Sequence, residues 1–236
     1  MSAQSDVSTV SAAKSPARSN RFAGFYGTTV GKKVVMAVTG IVGIGYVFFH
    51  MLGNLQAFQG AEKIDAYSAA LHYSPMLLWT ARAILIAAVV FHVIAAYQLA
   101  VTSQKSRPVA YTRWKAIASN WASRTMRWTG PVLLLFIIYH VLHLTTGTFH
   151  PDFTEGAVFN NVVSAFQIWW VSAIYIVAML ALGFHLYHGI WSVFQSLGAS
   201  RPAYDGRIRA LATILTIVIV LGFISIPVAV FTGIIE

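Results

Sequence analysis

The chain has no cysteine among its 236 residues, and only seven acidic residues. The missing thiols exclude disulfides, thiolate-bound zinc, iron–sulfur clusters and covalently attached c-type haem on this chain. Charge is scarce as well, at 10% of residues against 57% hydrophobic. A soluble domain carries about 25% charged residues. The mean hydropathy is +0.67, and the apolar residues fall in a few long runs, neither alternating nor amphipathic. A helix needs about 20 such residues to cross the hydrocarbon core of a bilayer. Five runs qualify, at residues 34–58, 76–102, 127–148, 166–197 and 209–235. Several exceed the minimum, as tilted or projecting helices do. The expectation is an all-α integral membrane bundle of five transmembrane helices. It occupies residues 31–236, behind a polar Ser- and Ala-rich N-terminal tail over residues 1–30 that lacks the apolar core of a signal peptide and reads as flexible and uncleaved.

The formal net charge of +9 is a topological signal and not a nucleic-acid patch. Its sources are the N-terminal segment (Lys14, Arg18, Arg21, Lys32, Lys33), the second interhelical connection (Lys105 to Arg127) and the fourth (Arg201, Arg207, Arg209). The first and third connections instead carry Glu62, Lys63, Asp65, Asp152 and Glu155. Lys/Arg excess marks the cytoplasmic side, which places the N-terminus inside and Glu236 outside. A basic inner face also suits the docking of a soluble partner.

Histidine is where chemistry concentrates. Of eight histidines, His50, His92, His140, His185 and His188 lie deep in the expected helices, and His143 lies near the outer end of the third. Acidic residues are absent from these spans except at the extreme C-terminal end. An ionisable group inside a membrane is costly and marks function by default, although one histidine can simply hydrogen-bond a neighbouring helix. Four helices each carrying one are harder to explain in that way. With a rise of about 1.5 Å per residue, His50 and His140 lie about 24 and 20 Å from the inner ends of their helices, and His92 and His185 about 15 and 18 Å. Two imidazoles thus lie toward the outside and two toward the inside, each pair drawn from different helices. Facing imidazoles in a bundle interior can supply both axial ligands of a b-type haem. Depth alone also admits His143 with His50, or His188 with His92, because His140/His143 and His185/His188 are each three apart on nearly one helical face. Gly40, Gly43, Gly45, Gly53, Gly183 and Gly189 suit close helix packing and leave room for a flat macrocycle. Trp128, Trp169, Trp170 and Trp191 lie near span ends, as interface anchors do.

Five blocks carry a family resemblance: GKKVVMAVTG (31–40), HMLGNLQAF (50–58), RTMRWTG (124–130), YHVLHLTTG (139–147) and GFHLYHGIWSVFQSLG (183–198). From residue 31 onward the chain resembles the single-chain di-haem cytochrome b anchor of bacterial succinate dehydrogenases and fumarate reductases. The resemblance implies two haem b groups held by bis-histidine pairs, and a quinone substrate, with menaquinone expected. It also implies a flavoprotein and an iron–sulfur subunit on the cytoplasmic face of the bacterial plasma membrane. His185 stands four residues before Gly189 and His140 follows Tyr139, as the family's ligands do, which favours them over His188 and His143. His50, ahead of Gly53 and Asn54, and His92 match the other two. The implied pairs are His50 with His140, outer, and His92 with His185, inner.

Succinate oxidation itself is expected on a partner, since no stretch resembles a dicarboxylate or flavin site. His143 reads as structural, the role of His188 stays open, and His72 and His150 read as solvated loop residues. Quinone contacts are sought among Lys33, Arg124 and Arg127 inside and Arg82, Glu62 and Asp65 outside. Two rival readings remain. One is a di-haem quinone-reactive subunit of another oxidoreductase, such as a formate dehydrogenase or hydrogenase. The other is a haem-free anchor or transporter whose histidines bind a metal or relay protons.

Overall fold

The structure, a computed structural model, describes residues 21–106 and 121–236. Lys14, Arg18, Arg107, Arg113 and Lys115, and most of the expected N-terminal tail, lie outside the described residues. The last third of that segment is helical. A short helix α1 (Arg21–Gly27) packs on α2 (Thr29–Asn54). Thr28 caps α2 by accepting the Gly31 N–H at 2.9 Å, and Gly31 is glycine of necessity, because a Cβ there would collide with the Phe25 carbonyl.

All regular structure among the described residues is helical. After α2 come a 3-10 turn (Leu55–Gln59), α3 (Ala61–His72), α4 (Pro75–Lys105) and α5 (Trp121–His140), which runs into a π turn (Val141–Thr145). The chain ends with α6 (Val158–Gln167), α7 (Trp169–Ser196) and α8 (Pro202–Phe231). Five helical segments are long and apolar enough to span a membrane: Thr29–Gln59, Pro75–Lys105, Arg124–Thr145, Trp169–Ser196 and Pro202–Phe231. Their outer surfaces stay apolar, with Phe49, Ile86, Leu135, Val177 and Ile217 all exposed. In water such a surface would be a liability, whereas in lipid it is the expected contact face. The chain is a multi-pass membrane protein.

Packing is uneven. α2 and α7 touch, α8 packs on both, α4 lies against α2, and α5 lies against α7. A central cluster joins Leu186 and Ile190 of α7 to Ala212 and Ile219 of α8, with Ile44, Val47 and Phe48 of α2 against it. α4 and α7 make at most marginal contact, and the same holds for α2 and α5. Two clefts therefore flank the central helices.

The connections on the side away from the N-terminus are more ordered than loops. α3 and α6 pack on each other there. With the ends of α7 and α8 they build a second apolar cluster around Ala57, Ile64, Phe159, Phe166, Tyr175 and Ile226. The run expected as one helix from Phe166 breaks at Ile168, whose backbone is extended (φ −83°, ψ 109°). The Ser172 hydroxyl donates to the Phe166 carbonyl at 2.7 Å and holds the corner. Asp65 of α3 accepts the Phe159 N–H at 2.9 Å, capping the first turn of α6 from outside.

Asn161 ties the preceding loop to α6. Its side chain donates to the Thr154 carbonyl at 2.8 Å and accepts the Thr154 N–H at 2.9 Å, and the residue is only 4% exposed. Asn161→Ala leaves both backbone groups short of partners. The expected loss is about 1–3 kcal/mol, read as a lowered thermal unfolding midpoint of the purified protein in detergent. Asn161→Asp keeps the acceptor for the Thr154 N–H but sets a buried carboxylate oxygen against the Thr154 carbonyl, and should lose at least as much.

Candidate functional site

The two clefts are where the histidines meet. His50 near the end of α2 and His140 at the end of α5 have ring centres 5.8 Å apart with planes at 76°. His92 of α4 and His185 of α7 have ring centres 6.2 Å apart with planes at 56°. Neither pair is stacked, and each spans helices whose backbones stand apart. The first pair lies toward α3 and α6, the far side; the second lies toward the N-terminal side. With metal–imidazole bonds of about 2.0–2.1 Å, two imidazoles on opposite sides of one ion have ring centres roughly 6–6.5 Å apart. Both pairs lie close to that spacing.

The second nitrogen of each ring decides whether the first is available. His92 Nδ1–H donates to the Met36 carbonyl at 3.1 Å and also meets Thr39 Oγ1 at 3.2 Å. Because a carbonyl can only accept, the proton is on Nδ1 and the Nε2 lone pair is left free. His185 Nδ1 meets Thr129 Oγ1 at 3.5 Å, and His140 Nδ1 meets the Tyr175 hydroxyl at 3.3 Å. Holding one ring nitrogen in this way orients a metal-ligating histidine and raises its basicity. His50 is held differently. It stacks on Tyr46, with centres 5.3 Å apart and planes at 11°, and the Asn54 amide lies 3.4 Å from its ring nitrogens.

Exposure separates His140 from His143, though not His185 from His188, which share an intermediate exposure. Each of the four paired rings is only partly covered by the polypeptide, whereas His143 is 2% exposed. His143 stacks with Tyr139 and with His150, ring centres 5.1 Å apart in both cases, and its Nδ1 meets the Tyr175 hydroxyl at 3.1 Å. His188 meets Trp191 edge-on at 6.2 Å, and its buried Nδ1 has no hydrogen-bond partner among the described residues. Next to it, the Trp191 indole N–H donates to Asp205 at 2.9 Å, and Arg209 pairs with Asp205 at 2.8 Å while lying 4.3 Å above the indole. Trp191 is thus locked between α7 and α8, while Trp128 and Trp169 are widely exposed as bilayer anchors are.

His150 departs from the sequence expectation of a solvated loop residue. It is 5% exposed, and its Nε2–H donates to the Asn161 carbonyl at 2.9 Å. The cause is α6, which folds over the loop. His72 is exposed, with Nδ1 on the Ser68 carbonyl. Tyr175, Thr39 and Thr129 were not singled out from sequence; the available signal was a hydroxyl on a neighbouring helix at the depth of an imidazole. Of the polar residues considered for quinone contact, Asp65 is engaged in capping α6, and Arg82 lies 5.0 Å from the Trp79 ring. The apolar grooves between α7 and α8 and between α5 and α7 are lined by none of them.

Among the described residues, no three His, Cys, Asp or Glu side chains gather as a metal cluster. A protein-only zinc site wants three or four protein ligands. An iron centre whose remaining four positions are filled by a porphyrin wants two axial ligands, and two imidazoles are what each cleft provides. Beside the second pair, Gly189, one turn beyond His185, has open space where a side chain would lie. The donor set, the free Nε2 of His92 and the separated helices all fit a haem.

Among the described residues, five helices long and apolar enough to span a membrane bring two pairs of imidazoles together, which defines a multi-pass membrane subunit. Residues 101–224, more than half of the chain, match the succinate dehydrogenase/fumarate reductase transmembrane subunit family, and the chain belongs to that family. The match includes His140 and His185 and begins after His50 and His92. No curated protein and no solved structure matches the chain.

Gly40 backs the His92 ring. A Cβ there would lie 3.5 Å from His92 Cε1, so alanine fits and anything longer presses on the imidazole. Gly40→Leu should cost about 1–3 kcal/mol by overpacking, measured by thermal unfolding in detergent, while Gly40→Ala stays well below that.

Proposed function

We propose that this chain is the cytochrome b anchor of a succinate:quinone oxidoreductase, in which His50 with His140 and His92 with His185 each hold one haem b. The observation that carries the reading is the pair geometry: imidazoles with ring centres 5.8 and 6.2 Å apart, each pair joining helices that make at most marginal backbone contact. Bound there, haem would supply one-electron carriers between an iron–sulfur partner and quinone, menaquinone being the expected one.

The residues of this chain perform the supporting work. His92 presents Nε2 because Met36 and Thr39 hold Nδ1. Thr129 and Tyr175 hold the corresponding nitrogens of His185 and His140. Tyr46, Phe136 and Phe223 pack against the far-side rings and limit their rotation. The exposed apolar surface keeps the clefts within lipid and away from bulk water, and a low-dielectric shell of this kind is one means by which a protein sets a haem potential. The basic residues at the N-terminal side support a cytoplasmic N-terminus and an external C-terminus. The flavoprotein and iron–sulfur subunits would then dock at the cytoplasmic face, with succinate oxidised on the flavoprotein. The family assignment favours this reading over a quinone-reactive subunit of a formate dehydrogenase or hydrogenase. Bis-imidazole clefts without a third ligand favour it over a haem-free metal or proton carrier.

The test is a reduced-minus-oxidised absorption spectrum, with haem quantified per chain, on the intact complex and on single alanine variants of the four histidines. Two b-type haems per chain are expected. His50→Ala and His140→Ala should each lose the same one, and His92→Ala and His185→Ala the other. An assembled complex without haem would overturn the proposal.

A further inference from the structure

The Tyr175 hydroxyl touches two histidines of the α5 end at once, His140 Nδ1 at 3.3 Å and His143 Nδ1 at 3.1 Å. Tyr175 is 7% exposed. Its ring is wedged edge-on between Phe136 and Phe166, with centres 5.0 and 4.9 Å away, so the hydroxyl has no route to solvent. A phenol donates one hydrogen and accepts through its lone pairs. With two ring nitrogens at bonding distance it donates to one and accepts from the other.

His140 settles which. If its Nε2 lone pair is given to a metal, its proton is on Nδ1, and Nδ1–H donates to the Tyr175 oxygen. The Tyr175 O–H is then turned toward His143 Nδ1, and His143 carries its own proton on Nε2. The reverse order would put the His140 proton on Nε2 and block that nitrogen as a ligand. Resting on the assignment of His140 as a haem ligand, the geometry points to Tyr175 as the positioning residue of the far-side pair, the middle of a directional chain from His140 through Tyr175 to His143.

Local structure is arranged for this. The π turn, closed by Thr146 N–H on the Val141 carbonyl at 3.0 Å, widens the helix end where His143 turns toward the hydroxyl already used by His140. His143 is held against Tyr139 and His150, and His150 is fastened to Asn161 of α6. On the N-terminal side the relays end on Thr39's own helix carbonyls, Val35 at 2.7 Å and Met36 at 3.1 Å, and on Met126 Sδ at 4.0 Å from Thr129, and not on a further histidine. There the partners are Thr129 for His185, and Thr39 with the Met36 carbonyl for His92. A phenol that is itself donating is a better acceptor than a free one, so His143 strengthens the hold on His140 without touching the ligand nitrogen. The two pairs would thus be held by different groups, a phenol backed by a histidine on the far side and threonine hydroxyls on the other.

The test is a redox titration of the complete complex, monitored by absorption and by electron paramagnetic resonance, with haem counted per chain. Tyr175→Phe should retain two haems and shift one midpoint upward. The reason is that an Nδ1–H without an acceptor makes a less basic ligand, which favours reduced iron. The low-spin signal of that haem should change while the other haem is unmoved. His143→Phe keeps the ring stacking and removes the acceptor, so it should move the same midpoint upward by less. Two haems with both midpoints unmoved in these variants overturn the chain, as does an equal shift of both haems. Should Tyr175→Phe fail to assemble, His143→Phe decides alone. A wild-type complex without haem would overturn the ligand assignment itself, whereas a two-haem wild type with silent variants overturns only the role of Tyr175.

Discussion

Keeping a neutral imidazole inside hydrocarbon is the constraint on which this architecture turns. Each ring has two nitrogens, and a buried polar atom without a partner is expensive. The fold satisfies one nitrogen locally for His92, His185 and His140, through a backbone carbonyl, a threonine and a tyrosine. It also brings the rings within 5.8 and 6.2 Å of one another, centre to centre, across helices whose backbones stand apart. The gaps persist because α2, α7 and α8 form the packed centre while α4 and α5 attach to one side each. Had α4 closed on α7, or α5 on α2, the imidazoles would be buried against side chains and the clefts lost.

Most of this was legible in the sequence because a bilayer simplifies the code. Twenty or more apolar residues in succession have few alternatives to a spanning helix, and the five spans lie where the hydropathy puts them. Counting residues along the spans places His50 level with the His140/His143 end of the third and His92 level with His185/His188 of the fourth, since depth is a linear function of position; the choice within each group comes from the family resemblance. What the counting cannot reach is azimuth. His140 and His143 differ by three residues and share a depth and nearly a face, and only the π turn and the packing of Tyr139, His150 and Tyr175 give them different surroundings.

The far-side connections were harder to read for a related reason. α3 and α6 are short and partly polar, and they earn their helicity from each other and from the ends of α7 and α8. Val158–Gln167 carries an apolar stripe at Phe159, Val162, Val163 and Phe166, but it spans only ten residues, and its apolar C-terminal end merges with the next span in any hydropathy profile. The break at Ile168 depends on a hydroxyl, Ser172, that is unremarkable in composition. Once α6 folds back, the loop before it is covered, and His150 is buried as a consequence.

The pairing pattern also divides the chain in time. His50 and His92 are made before the 106–121 connection, and His140 and His185 after it. Each imidazole pair therefore joins the first half of the polypeptide to the second, and a ribosome that has delivered only α2 and α4 has built half of each cradle. Any group gripped by both members of a pair stitches early helices to late ones. On the proposed function, loading with a cofactor would have to wait for α7, and would report that the helices up to it are in place.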